Sequence, residues 1–302
     1  MGSSPVLVVG GTGYLGGQVI TALLERGKQV RALVRPESDA ARLEAAGVEI
    51  VRGDMMDPGS LAPAVRGVDA VVTSAAGYTG HSKGDTSDID VVGNRNLIDS
   101  AAQAGVRRFV LTSILTCDQT PQVPHFWHKK LAEDRLAEKG VDFVALRPGA
   151  LLDQITSFGG DPFARGSISW LGSSTVPLTF VLSSEVAAYL AAAVDADVAA
   201  GERIDIGWDR PLSIQDIADI SSDLLGRRIT AGPGPVGNSG TAEAADGAFQ
   251  IPPDMAAMLE WFETGRYVAN TTRQGEVFSV PTAEHSIARL ITSLGHPIHE
   301  SP

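Results

Sequence analysis

The stretch Val6-Leu-Val-Val9-Gly10-Gly-Thr-Gly13-Tyr-Leu-Gly16 constrains the fold more than any other part of the chain. Its four leading residues are apolar and mostly β-branched, which predicts a strand buried on both faces. Gly10, Gly13 and Gly16 follow, and an apolar helix pattern then runs from Gln18 to Glu25. A strand, a glycine turn and a helix make a seat for phosphate. The missing side chains let the backbone approach an anion, and the helix start offers unbonded N–H groups and a positive dipole end. Thr12, Gly13, Tyr14 and Leu15 are placed to hold a pyrophosphate. The spacing is G-x-x-G-x-x-G instead of G-x-G-x-x-G, but the flanking strand and helix are the context a dinucleotide fingerprint requires.

Strand and helix patterns alternate through the first half of the chain. Gln29–Val34, Val48–Val51, Val68–Val72, Arg108–Thr112 and Val141–Leu146 read as strands. Between the last three lie helical patterns over Asp90–Ala104, closed by Gly105, and over His125–Lys139. This predicts an α/β chain, a Rossmann-like doubly wound parallel sheet over residues 1–150. Residues 151–302 are expected to form a smaller substrate lobe, partly interleaved with the core. Its signals are helices at Ser184–Val194, Ser213–Leu225 and Asp254–Gly265, the last rich in large apolar residues that either wall a pocket or pack the lobe.

Composition narrows the partners. With 43% hydrophobic residues the chain can bury a core. A net charge of −12 and no dense Lys/Arg run argue against nucleic acid and anionic membrane surfaces. The lone Cys117 excludes an internal disulfide, and no Cys/His spacing suits a metal. The chain start lacks a signal core, and no apolar run is long enough to span a bilayer, so a cytoplasmic protein acting on a small molecule is expected. Monomer and dimer both stay open.

Other candidate residues lie at strand ends, where open α/β sheets bind ligands. Arg35 closes the second strand, where a guanidinium would pair with the 2′-phosphate of NADP(H) and an acidic residue would favour NAD. Asp54 follows the third strand and can accept from an adenine amine with Met55 beside the ring, although Asp57 or Asp54 can equally cap the next helix. Ser74, Ala75 and Ala76 are small enough to let backbone pass close to the cofactor. The polar loop from Tyr78 to Asp88 either borders a substrate pocket or is an ordinary surface loop. Ser113 ends the fifth strand and is placed to polarise a substrate oxygen. On a helical period His125, His128, Lys129, Ala132 and Leu136 share one stripe, polar at its start.

As a set, Gly10-Gly-Thr-Gly13-Tyr-Leu-Gly16, Arg35, Gly53-Asp54, Asp90-Val-Val-Gly93-Asn-Arg-Asn96-Leu-Ile, Phe109-Val-Leu-Thr-Ser113 and Leu146-Arg-Pro-Gly149 resemble the atypical short-chain dehydrogenase/reductase superfamily, near the NmrA-like proteins. The resemblance covers about residues 5–150 closely and the C-terminal half more loosely, through Ser184-Glu-Val-Ala187 and Trp261–Gly265. It implies NAD(P) bound across the strand ends, with Pro148 among the residues beside it, a substrate under the smaller lobe, and reduction of a ketone or C=C bond. The usual engine of that superfamily is a serine with Tyr-x-x-x-Lys. Here no tyrosine has a lysine four residues on; Lys129 takes the lysine place and His125 stands where the tyrosine belongs. Three explanations stay open. His125, or His128 beside it, donates the proton; water or a substrate hydroxyl does; or the protein is a non-catalytic NADP-binding sensor. The expectation is an NADPH-dependent reductase of a small apolar carbonyl or quinone compound, with Ser113, His125 and Lys129 as its catalytic residues and no metal.

Overall fold

A computed structural model describes residues 4–77, 87–158, 160–170, 172–233 and 253–299. Most of the expected loop from Tyr78, and residues 234–252, lie outside the described residues. The strands are β1 (Val6–Val9), β2 (Val30–Val34), β3 (Glu49–Arg52), β4 (Ala70–Thr73), β5 (Arg108–Thr112), β6 (Phe143–Pro148), β7 (Ala150–Leu151), β8 (Ser167–Trp170), β9 (Phe180–Val181), β10 (Glu202–Ile206) and β11 (Thr230–Pro233). The α-helices are α1 (Tyr14–Glu25), α2 (Ala41–Ala45), α3 (Pro58–Val65), α4 (Asn94–Ala104), α5 (Pro124–Glu138), α6 (Pro162–Arg165), α7 (Ser183–Ala193), α8 (Ile214–Leu225), α9 (Pro253–Glu263), α10 (Thr272–Val277) and α11 (Ala283–Ser293).

Seven strands form one sheet in the order β10-β6-β5-β4-β1-β2-β3. The register between β1 and its two neighbours is parallel, with Val6 opposite both Val30 and Ala70. All four residues of β1 are buried, as a strand covered by helices on both faces must be. The chain leaves β1 toward β2 on one side and later returns to β4 on the other. That reversal opens a crevice beyond the C-terminal ends of β1 and β4, the place where such sheets take ligands. The core is held by fully buried side chains such as Leu7, Leu61, Leu97, Phe109 and Leu136. Each contributes about 1.5–3 kcal/mol over the exposed state.

The chain divides into two compact units. The first comprises residues 1–147, 183–204 and 276–278; the second comprises 148–182, 205–275 and 279–302. Helix α7, which the sequence places with the smaller lobe, thus belongs to the first unit, where it packs on α1. Inside the second unit β7 pairs with β9 and β8 with β11, both in parallel. A capping box at Ser213 and Asp216 starts α8, and Gly226 in the left-handed region ends it. Met258, Leu259, Trp261 and Phe262 of α9 are buried. Phe262 packs on Tyr267 with ring centroids 4.7 Å apart, and Arg266 lies over Trp261.

One helix departs from its sequence pattern. The expected helix over Asp90–Ala104 begins as a π-helical segment, Asp88–Gly93, and becomes α-helical only at Asn94. Asp90, in that wider turn, is buried among partners on two other segments.

Candidate functional site

Each glycine of the first turn has its own steric reason. Gly10 has φ +89°, and a Cβ there would come within 2.9 Å of the Ala75 nitrogen and 3.0 Å of the Ser74 hydroxyl. A Cβ on Gly16 would sit 2.1 Å from the Gly10 carbonyl oxygen. Gly13 donates to that same carbonyl at 2.9 Å and stands at the N-cap of α1, where no side chain caps the helix. The first turn of α1 therefore packs against the end of β1 and the segment after β4 at a distance that only absent side chains allow. Thr12, Gly13 and Tyr14 are exposed there, and Leu15 is half-buried. A buried strand, a cleared turn and a helix start with no side-chain cap fit a diphosphate.

The neighbouring strand ends add to this edge. Ser74 donates its backbone N–H to the Val9 carbonyl at 3.0 Å, so Ser74, Ala75 and Ala76, all half-buried, run alongside the turn. Arg35, just past β2, is exposed and 3.5 Å from Glu37. Arg52, the last residue of β3, donates to the Arg35 carbonyl at 3.0 Å and so holds the loop that carries Arg35. Asp57 caps α3 by accepting from Gly59 at 3.0 Å. Asp54 is not that cap; its carboxylate accepts from the Met56 N–H at 2.8 Å. Met55 is buried, and Asn96 donates to its carbonyl at 2.9 Å.

Helix α5 brings the catalytic candidates to one face. His125, Lys129, Ala132 and Leu136 are buried, as their spacing predicts, while His128 is only half-buried. His125 meets Phe126 edge to face at 4.7 Å. The Lys129 ammonium donates to Asp90 Oδ1 at 2.6 Å and to the Ala75 carbonyl at 3.1 Å. Asp90 Oδ2 accepts from the Gly77 N–H at 2.9 Å. One buried ion pair thus fastens α5 to the segment after β4 and to the π-helical turn.

One turn further along α5, Glu133 is fully buried among cations. Arg147 grips it with two bonds, Nε to Oε1 at 2.9 Å and Nη2 to Oε2 at 2.7 Å. Arg203 adds Nε to Oε2 at 2.7 Å, and Arg147 also reaches Asp118 at 2.8 Å. Burial pushes the Glu133 carboxyl up, but its bonds to Arg147, Ser113 and Arg203 win and hold it below the usual glutamate range. The carboxylate stays ionised and accepts the Ser113 proton at 2.6 Å. Ser113, expected to polarise a substrate oxygen, is 3% exposed, and in this arrangement its hydroxyl donates to Glu133. Cys117 lies against the same pair, and burial followed by the Glu133 charge pushes its thiol up to about 12. It stays protonated at neutral pH and is no nucleophile.

The structure therefore brings Gly10, Gly13, Gly16, Ser74, Ala75 and Lys129 into one connected edge. Ser113 joins α5 through Glu133, and Arg35 with Asp54 marks the neighbouring strand ends. Pro148 is the buried end of β6 and belongs to the second unit, where its carbonyl accepts from the Tyr267 hydroxyl at 3.5 Å. Sequence reasoning missed Asp90, Glu133 and Arg52. For Glu133 a signal existed, because it lies four residues after Lys129 on the side that packs inward. Among the described residues, no group of three or more His, Cys, Asp or Glu could hold a metal, and no helix is long and apolar enough to cross a membrane.

Comparison with known proteins agrees with the fold. Among curated proteins, the chain is 29% identical over 221 residues, 73% of its length and 68% of the other, to the photosystem II assembly factor Ycf39 of Synechocystis sp.. It is 29% identical over 244 residues, 71% of its length and 73% of the other, to the 2-alkyl-3-oxoalkanoate reductase of Stenotrophomonas maltophilia. Among solved structures, the NADPH-dependent quinone oxidoreductase QOR2 of Escherichia coli superposes with a TM-score of 0.75 at 21% identity, covering 96% of this chain and 99% of that one. A family described as NAD(P)H-binding matches residues 10–197. The chain belongs to the NAD(P)H-binding family, and its sheet, glycine turn and helix start are the features by which it does so.

Proposed function

We propose that the chain is an NADPH-dependent reductase whose acceptor takes a hydride without a proton from the protein, quinones foremost. The observation that carries this reading is the Ser113 hydroxyl, whose proton is committed to an ionised Glu133. Bound NADPH would supply the hydride. A reduced ketone leaves an alkoxide, which needs an acid in place at once. A reduced quinone leaves a delocalised phenolate, which water can protonate. The likeness to a quinone oxidoreductase and to an oxoalkanoate reductase supports a small carbonyl-type acceptor.

The same reading assigns each residue a part. Gly10, Gly13 and Gly16 let the turn pack closely, and the turn from Thr12 to Leu15 binds the diphosphate, the Gly13 N–H excepted because it is held by the Gly10 carbonyl. Arg35 pairs with the 2′-phosphate and selects NADP(H) over NAD(H). Asp54 and Met55 border the adenine, and the Ser74–Ala76 backbone borders the rest of the cofactor. Lys129 has a third N–H to give, and it orients the nicotinamide ribose. Ser113 fixes the end of β5, while His125 packs the start of α5 and is not the acid.

The test is NADPH consumption by the purified chain with quinones, flavins and aromatic ketones. Turnover is expected with quinones and not with simple ketones, and His125→Phe is expected to keep kcat within about twofold. Loss of turnover in that variant would restore His125 as the acid. A second reading, a dinucleotide-binding regulator, is favoured by the similarity to an assembly factor. Saturable NADPH binding with no turnover across the panel would select it.

A further inference from the structure

The pair formed by Lys129 and Asp90 bears on which redox form of the dinucleotide the site holds. Asp90 is 1% exposed, and both carboxylate oxygens are engaged, one by the ammonium at 2.6 Å and one by the Gly77 N–H at 2.9 Å. Two of the three ammonium protons go to Asp90 and to the Ala75 carbonyl, and the third has no partner among the described residues. Ala75 is also the residue whose nitrogen a Cβ on Gly10 would meet at 2.9 Å. The ion pair therefore touches the segment that borders the glycine turn.

We propose that Asp90 is a counter-ion for the nicotinamide half of the site, cancelling the Lys129 charge so that the cationic ring of NADP+ is held without repulsion. This rests on the reading of Lys129 as the residue that orients the nicotinamide ribose. The oxidised ring carries a positive charge and the reduced ring none, while the rest of the molecule is the same. A lost contact therefore weakens both forms together, and only an unbalanced charge separates them. An asparagine at position 90 keeps one acceptor oxygen, enough for the Gly77 N–H, and turns its NH2 toward the ammonium, so it removes the charge together with the Lys129 contact. The lost contact bears on both forms alike, and the lost charge bears on one. Asp90 acts through Lys129 and is a positioning residue, not a catalytic one.

Calorimetric titration of the full chain with NADP+ and, separately, with NADPH tests this. In Asp90→Asn the ratio Kd(NADP+)/Kd(NADPH) should rise about tenfold, because an unpaired ammonium is left near the ring. In Lys129→Met the ratio should fall severalfold, because an unpaired carboxylate is left instead. The double variant should return to within about twofold of the parent ratio. If one variant fails to give a cooperative thermal transition, the sign of the shift in the other still decides. Equal weakening of both forms, or an unchanged ratio, overturns the counter-ion role and leaves the Lys129 reading intact. A parent chain that binds neither form overturns the reading beneath it.

Discussion

The ends of β1 and β4 and the ends of β5 and β6 are built on opposite plans. At the first, room is made by leaving side chains out, so that the Gly10 carbonyl, the Ser74 hydroxyl and the start of α1 crowd around three missing Cβ atoms. At the second, buried space is filled with paired charge, and Glu133 binds two arginines and a serine at once. The first plan leaves N–H groups ready for an anion that arrives later. The second leaves its polar groups already matched to one another. One end is prepared by vacancy and the other by saturation, so a substitution should act differently in each.

Glu133→Ala should break the saturated end outright. It strands Arg147, whose side chain is 9% exposed, together with Arg203, and should cost about 3–5 kcal/mol in denaturant unfolding. A loss below about 1 kcal/mol would mean that the cluster is not organised as a unit. Gly16→Ala probes the vacant end. Its new Cβ meets backbone at 2.1 Å, which no side-chain rotation relieves, so about 1–3 kcal/mol should be lost and dinucleotide binding with it. Gly27→Ala sharpens the point. That residue also has positive φ, +72°, but nothing lies within 4 Å, so it should cost about 1 kcal/mol and leave binding alone.

Arg35→Asp should leave the melting temperature unchanged, because its pair with Glu37 is exposed and contributes little. It should weaken NADPH about tenfold while sparing NADH, measured as the two dissociation constants. The smallest effect is one of shape. The Glu133 carboxyl is held below its ordinary value of 4.5 in the folded chain. Its share of stability is therefore complete above that value and is lost as pH falls through the lowered one. Below the ordinary value, stability in Glu133→Gln should fall less steeply with pH than in the parent.

The two plans also differ in how far the sequence reveals them. The glycine turn is local, since three glycines and a run of β-branched residues lie within a few positions of each other. The stripe of His125, Lys129, Ala132 and Leu136 was likewise legible from its period, and β5 was legible to the residue. The partners of Glu133 are not local: Ser113 is 20 positions away, Arg147 14 and Arg203 70. No periodicity records such a meeting, because only the order of strands β10, β6 and β5 brings those residues together. Asp90 was hidden for a different reason. The pattern predicts a regular helix there, whereas its first turn is π-helical and Asp90 in it pairs with Lys129, 39 positions away. Strand β8 was lost in a stretch rich in glycine and serine, because its pairing partner β11 lies some sixty residues on.

Thr116 carries one more consequence. It is a β-branched residue at φ 60°, the one non-glycine with positive φ among the described residues, and it lies between Ser113 and the arginine-bound Asp118. Such a torsion costs about 1–2 kcal/mol and persists only where the surroundings insist on it. The segment after β5 is thus a sprung catch more than a pliable loop. Cutting its anchor at Asp118 would let the backbone unwind toward an extended form and carry Ser113 with it.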